Sequence, residues 1–176
     1  MANTETTINA VINPENNETP IDIEKTIKVL ERNKFVVHYF ETGAEAISYL
    51  KGRIQNKRVA IGDSHTLLEL KVHDVLAQVN DDITDIQRPL PGESFRDTAL
   101  RTMGRDVFLT SVNALAQTGE MVNIDGTGNR VAASLFGSQE VFFVLGINKI
   151  TPDLASAIYR ARNVAAPLNS KKNKKS

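Results

Sequence analysis

Cysteine is absent from this 176-residue sequence, which excludes disulfides, thiolate zinc sites and cysteine-ligated iron–sulfur clusters. Tryptophan is absent too, and aromatic residues make up only 6% of the chain. Charge of one sign is also missing: 21 Lys plus Arg balance 21 Asp plus Glu, so no global field draws nucleic acid or an anionic membrane. No apolar run approaches the ~20 residues of a membrane span. The N-terminus, MANTETTINAVINPENNETP, has neither the basic nor the apolar stretch of a secretion signal. These absences point to a cytoplasmic chain with neither a nucleic-acid nor a membrane partner. Its only histidines are His38, His65 and His73, so a metal site would rest on carboxylates, and no spacing suggests one.

What remains fits one domain of ordinary size, over residues 21–169. Residues 1–20, rich in Asn, Thr and Glu with two prolines, read as a flexible arm, and residues 170–176, SKKNKKS, as a flexible basic tail. Between them helical and strand patterns alternate. IDIEKTIKVLERN carries Ile23, Ile27 and Leu30 at helical spacing behind the N-cap Asp22, and TGAEAISYLKGRI opens with a Thr42/Glu45 capping box. A third helix is expected from Ser64, with Leu68, Val72, Val75, Leu76 and Val79 as its buried stripe. GESFRDTALRTMG and NRVAASLFG are further helices. A last helix starts with Thr151 as N-cap and Pro152 in its first turn, burying Leu154, Ile158, Ala161 and Val164. KFVVHYF, RVAIG, ITDIQRP, DVFLTS, GEMVNID and EVFFVLGI read as strands. The alternation implies an α/β fold with a largely parallel sheet and helices on both faces. GEMVNID is less apolar and follows DVFLTS closely, so this region forms either a hairpin or a small inserted β layer.

In such a sheet, ligands bind beyond the C-terminal ends of the strands. Three loops there carry small polar residues. IGDSHTLLE offers Gly62, Ser64 and Thr66 at a helix start, with Glu69 one turn further as a candidate base; the structural alternative is that Gly62 turns the chain and Ser64 caps the helix. NIDGTGNRV offers Asp125, Gly126, Gly128, Asn129 and Arg130 as a polar, anion-binding turn; the structural alternative is that it only turns the chain from a strand into a helix. It fails as a dinucleotide fingerprint because Val131 holds the third glycine position, and it lacks the Lys-Ser/Thr end of a P-loop. VLGINKITPD offers Gly146, Asn148 and the cation Lys149, and the segment after DVFLT adds Ser111 and Asn113.

TSVNALAQTGEMVNIDGTGNRVAASLFGSQEVFFVLGINKI, followed by RARNVAAPLNSKK, closely resembles the lactate-utilization (LUD) domain family, and IGDSHTLLEL is similar to its glycine-serine loop. The likeness covers residues 58–169; the first 57 residues fit only in outline. The resemblance implies a fold like that of the ribose-5-phosphate isomerase, glucosamine-phosphate deaminase and CoA-transferase superfamily. It also implies association with oxidation of lactate to pyruvate beside iron–sulfur partner proteins. Carried over, the family's positions are Gly62, Ser64, Thr66 and Glu69, then Asn113, Gly119, Glu120, Asp125, Gly126, Gly128, Asn129 and Arg130, then Gly146, Asn148 and Lys149. Asp63 and His65 lie in a turn that is often more glycine-rich in relatives, and Lys71 stands where Gly is common. Longer relatives carry cysteines after APLN, whereas this chain has none, so a cluster-binding role does not transfer.

The expected function is therefore a component of cytosolic lactate oxidation that binds a small anionic metabolite, a carboxylate or phosphate, at the strand ends. The Gly62–Thr66 turn and the Asp125–Arg130 loop would form the cradle, Lys149 or Arg130 would neutralise the anion, and Glu69, Asp125 or Glu120 would be the base. Lactate oxidation needs an acceptor, and no flavin or nicotinamide motif is recognisable, so the chain is not expected to act alone and its cofactor is left open. Alternatives are a noncatalytic assembly subunit for iron–sulfur proteins, or an independent enzyme of the sugar-phosphate or acyl-CoA type; homo-oligomer formation is open under each.

Overall fold

Six consecutive residues of EVFFVLG, Val141 to Gly146, and the first three of VFLT leave no polar face, a pattern that suits strands covered on both sides. They become the adjacent strands β8 (Glu140–Gly146) and β5 (Val107–Thr110) in the middle of a six-stranded parallel sheet of order β2-β1-β8-β5-β3-β4. The computed structural model describes residues 20–168 and the backbone of residues 3–9. The other strands of this sheet are β1 (Asn3–Asn9), β2 (Val36–Phe40), β3 (Arg58–Ile61) and β4 (Asp82–Asp85). The helices are α1 (Ile23–Arg32), α2 (Gly43–Arg53), α3 (His65–Glu69), α4 (Val72–Leu76), α5 (Phe95–Arg101), α6 (Asn129–Leu135) and α7 (Leu154–Arg160).

Alternate side chains of the central strands point to two separate cores. Val141, Phe143 and Leu145 of β8, with Phe108 of β5, meet Leu30 of α1 and Ala133 of α6. Phe142 and Val144, with Val107 and Leu109, meet Leu50 and Ile54 at the end of α2, Leu67 of α3 and Val72 and Leu76 of α4. Helices thus cover both faces, as expected. The inserted β layer is present as well: β6 (Ala114–Ala116) pairs antiparallel with β7 (Met121–Val122) and parallel with β9 (Ile150–Thr151). Asp22 caps α1, and the Thr42/Glu45 box opens α2.

Four expectations are corrected. The helix expected from Ser64 is two short ones, because the chain turns at Lys71, whose φ is +52°. Leu67 consequently faces the core and Leu68 is 51% exposed. Thr151 is not the last N-cap: it is spent in β9, and the Asp153 carboxylate accepts the Ser156 N–H instead, at 2.8 Å. Along α7 the residues buried against the small sheet are Ala157 and, just beyond, Ala161, whereas Leu154, Ile158 and Val164 stay exposed, since only small side chains fit against Ala114 and Ala116. Residues 3–9, expected in a flexible arm, run as a strand between β2 and β8. The rest of that expected arm, and the expected basic tail, lie outside the described residues. Among the described residues no helix is long and apolar enough to cross a membrane.

Candidate functional site

Strand order places the site. The chain leaving β3 goes outward to β4, whereas β5 re-enters on the other side of β3 and hands on to β8. Crossovers that diverge from neighbouring strands leave a crevice at their C-terminal ends. Gly62 ends β3 there, with Thr110 and Ser111 at the end of β5 and Gly146 at the end of β8.

Gly62 is fixed by packing. A Cβ on it would lie 3.1 Å from the Phe108 ring and 3.3 Å from Thr110 Oγ1, while its N–H donates to Leu109 O at 2.9 Å. Ser64 is the N-cap of α3, its Oγ accepting from Leu67 N at 3.3 Å. Both nonetheless line a cleft of about 250 Å³ that lies toward β4 and is bordered by Lys71, His73, Asp85 and Arg88. Within it His73 Nδ1 sits 3.0 Å from Asp85 Oδ2, and Gln87 N donates to Asp85 Oδ1 at 2.9 Å. A carboxylate acceptor places the His73 proton on Nδ1. Thr66 is half-buried on α3, and His65 is exposed.

The second loop folds on its own charges. Arg130 Nε donates to Asp125 Oδ1 at 2.8 Å, and Val131 N donates to Asp125 Oδ2 at 2.8 Å. Arg130 Nη2 reaches Asn113 Oδ1 at 2.9 Å, and Ile124 N donates to that same oxygen at 2.7 Å. Asp125 and Arg130 are therefore a largely buried pair that staples the loop to the start of β6. Both carboxylate oxygens of Asp125 are thus engaged. Gly128 takes φ +78° to enter α6, and neither Gly126 nor Gly128 has an atom within 4 Å of where a Cβ would stand. Asn129 accepts from Thr127 Oγ1 at 2.6 Å.

Lys149 joins these elements. Its Nζ donates to Ser111 Oγ at 2.8 Å. Arg160, from the end of α7, donates its Nε to Asn148 O at 3.1 Å and its Nη1 to Asn113 O. Three cations from three elements thus surround the ends of β5 and β8. Burial pushes the Lys149 ammonium down to about 8, with Arg160 and Arg130 adding repulsion and Glu69 opposing them. Burial also lowers Arg160 from its ordinary value. Neither Lys149 nor Arg160 forms a salt bridge with any described residue.

Of the three candidate bases, Glu69 is exposed on α3 and its field reaches Lys149. Glu120 instead sits in the β6–β7 turn, accepting from Thr118 Oγ1 at 2.5 Å. That turn is at the opposite end of the hairpin from Asn113 and packs against α1, where Gly119 meets Asn33 and Val29. Asn148 is exposed and contributes its carbonyl. Sequence reading brought Lys149, Arg130, Asn113, Ser111 and Glu69 into view but missed Arg160 and the His73–Asp85 pair. Asp85 ends a strand, which was its one visible signal; Arg160 heads RARNVAAPLNSKK, a segment of the family resemblance, but its charge in an amphipathic helix did not single it out. Among the described residues no group of three or more His, Cys, Asp or Glu side chains is placed to hold a metal.

No curated protein and no solved structure matches the chain. A family model described as the LUD domain matches residues 23–176, which includes both polar loops, Lys149 and Arg160. The chain belongs to the LUD domain family.

Proposed function

We propose that this protein is a component of lactate oxidation to pyruvate, and that it binds a small carboxylate between the ends of β5 and β8. One observation carries the reading: Lys149 and Arg160 are half-buried cations without a carboxylate partner among the described residues. Buried charges are ordinarily paired, and an anionic ligand would supply the missing charge. Arg130 adds positive potential while remaining tied to Asp125. The base role falls to Glu69, the acid whose field reaches Lys149. Oxidising lactate to pyruvate removes two electrons and two protons, and this reading assigns the electron acceptor to iron–sulfur partners, since the sequence offers neither cysteines nor a dinucleotide fingerprint.

The test is a thermal-shift series with lactate, pyruvate, sugar phosphates and CoA esters, run with Lys149→Met and Arg160→Gln alongside. A ligand at a hundredfold excess over Kd adds about 2.7 kcal/mol of stability. Stabilisation by lactate or pyruvate that both variants lose supports the site. Stabilisation by sugar phosphates or CoA esters alone would favour an independent enzyme. The absence of any shift would favour an assembly subunit. That second reading has its own support: Leu154, Ile158, Tyr159, Val164 and Leu168 are exposed along α7 and its continuation.

A further inference from the structure

Resting on the carboxylate-site reading, we propose that Lys149 is a covalent site: its amine condenses with the ketone of a 2-oxo acid to form an imine, while Arg160 holds that acid's carboxylate. Lys149 Nζ is held by a neutral acceptor, Ser111 Oγ at 2.8 Å, in a cluster with Arg160, Arg130 and Glu69 and with no described carboxylate bonded to it. The amine is thereby positioned without being locked into an ion pair. Arg160 uses Nε and Nη1 on the carbonyls of Asn148 and Asn113, and no described residue accepts from its Nη2.

The groups facing the amine are Glu69 from α3, Ser111 after β5, Arg130 from α6 and Arg160 from α7. Two neighbouring guanidinium groups and burial favour the neutral amine, the form that attacks carbonyls. At about 8, roughly a tenth of Lys149 is free amine near pH 7, against about three in ten thousand for an ordinary lysine. Nζ adds to the carbonyl carbon, and a new C–N bond forms. The C–O bond then breaks and the oxygen leaves as water, carrying one amine proton and one supplied by Glu69; the protonated imine that remains returns the second amine proton to Glu69 as the neutral imine forms. No oxidant or reductant is consumed. Because only a ketone can condense, the site separates the 2-oxo acid from the 2-hydroxy acid, which carboxylate recognition alone cannot do.

The experiment treats the full chain with pyruvate and cyanoborohydride, then locates adducts by intact mass and peptide mapping. A single reduced pyruvate adduct on Lys149 is expected, absent with lactate and absent from Lys149→Arg and Lys149→Met. Between about pH 7 and pH 9 labelling of Lys149 should rise roughly tenfold and level off, whereas that of an ordinary lysine rises about a hundredfold. Noncovalent binding of pyruvate and lactate to the untreated protein is measured in parallel by ligand-observed NMR. Binding with no more adduct on Lys149 than on exposed lysines overturns the imine but leaves the carboxylate site standing. Neither binding nor adduct overturns both.

Discussion

Replacing Lys149 with methionine should make the folded protein more stable at neutral pH. Holding at about 8 an ammonium whose ordinary value is 10.5 costs the folded state about 3 kcal/mol wherever the unfolded chain is fully protonated and the site still has to take the proton. The sign follows from proton binding. Between about 8 and 10.5 the unfolded chain keeps the proton and the folded chain releases it, so stability climbs with pH across that window and the full penalty applies below it. Methionine keeps most of the apolar stem and carries no charge. It forfeits the hydrogen bond to Ser111, worth about 1 kcal/mol, leaving a net gain of about 2 kcal/mol near pH 7. Urea denaturation of both proteins near pH 7 and near pH 10 measures the gap, which should shrink toward zero at the higher value. A less stable variant at neutral pH, or a gap that is constant with pH, would refute the picture of an unpaired buried ammonium. A bound carboxylate should narrow the neutral-pH gap, because it favours the charged amine in the wild type alone.

Lys71→Gly should be neutral to stabilising by up to about 1 kcal/mol, since it relieves a left-handed residue at φ +52° while loosening the unfolded chain; Lys71→Ala should lack that gain, and denaturant midpoints compare them. Gly62→Ala should cost about 1–3 kcal/mol by driving a methyl group against Phe108 and Thr110, read as a lowered melting temperature. Asp125→Asn should destabilise by about 3 kcal/mol through the stranded Arg130 guanidinium, so any loss of ligand binding in it should track unfolding. If Asp125→Asn instead melts like the wild type yet fails in turnover, Asp125 is the base after all.

Much of the fold was legible because strand and helix periods are physical signals. The runs VFLT and EVFFVLG announced a sheet covered on both sides, and Thr42 with Glu45 announced a helix start. The failures have equally local causes. Nothing in the period of LLELKVHDVL marks the break at Lys71, because a lysine at φ +52° contradicts the residue's own preference. Thr151 carried a cap signal, but pairing with Ala116 claimed its backbone first. In the site, Lys149 and Arg130 stood in loops at strand ends and were visible as such. Arg160 is 47 residues from Asn113 and Asp85 is 12 from His73, on different elements, so these partnerships exist only after the sheet is assembled.

The two carbonyls that Arg160 grasps belong to different parts of the chain: Asn113 opens β6, and Asn148 precedes β9. One guanidinium therefore clasps the small sheet at both of the segments that lead into it from the large one. A ligand that recruits Arg160 must compete for, or reinforce, that clasp, so occupancy would be felt as a change in how firmly β6 and β9 are docked. Amide hydrogen exchange along Asn113–Ala116 and Ile150–Thr151 would report it, which makes the accessory layer a built-in gauge of whether the crevice is filled.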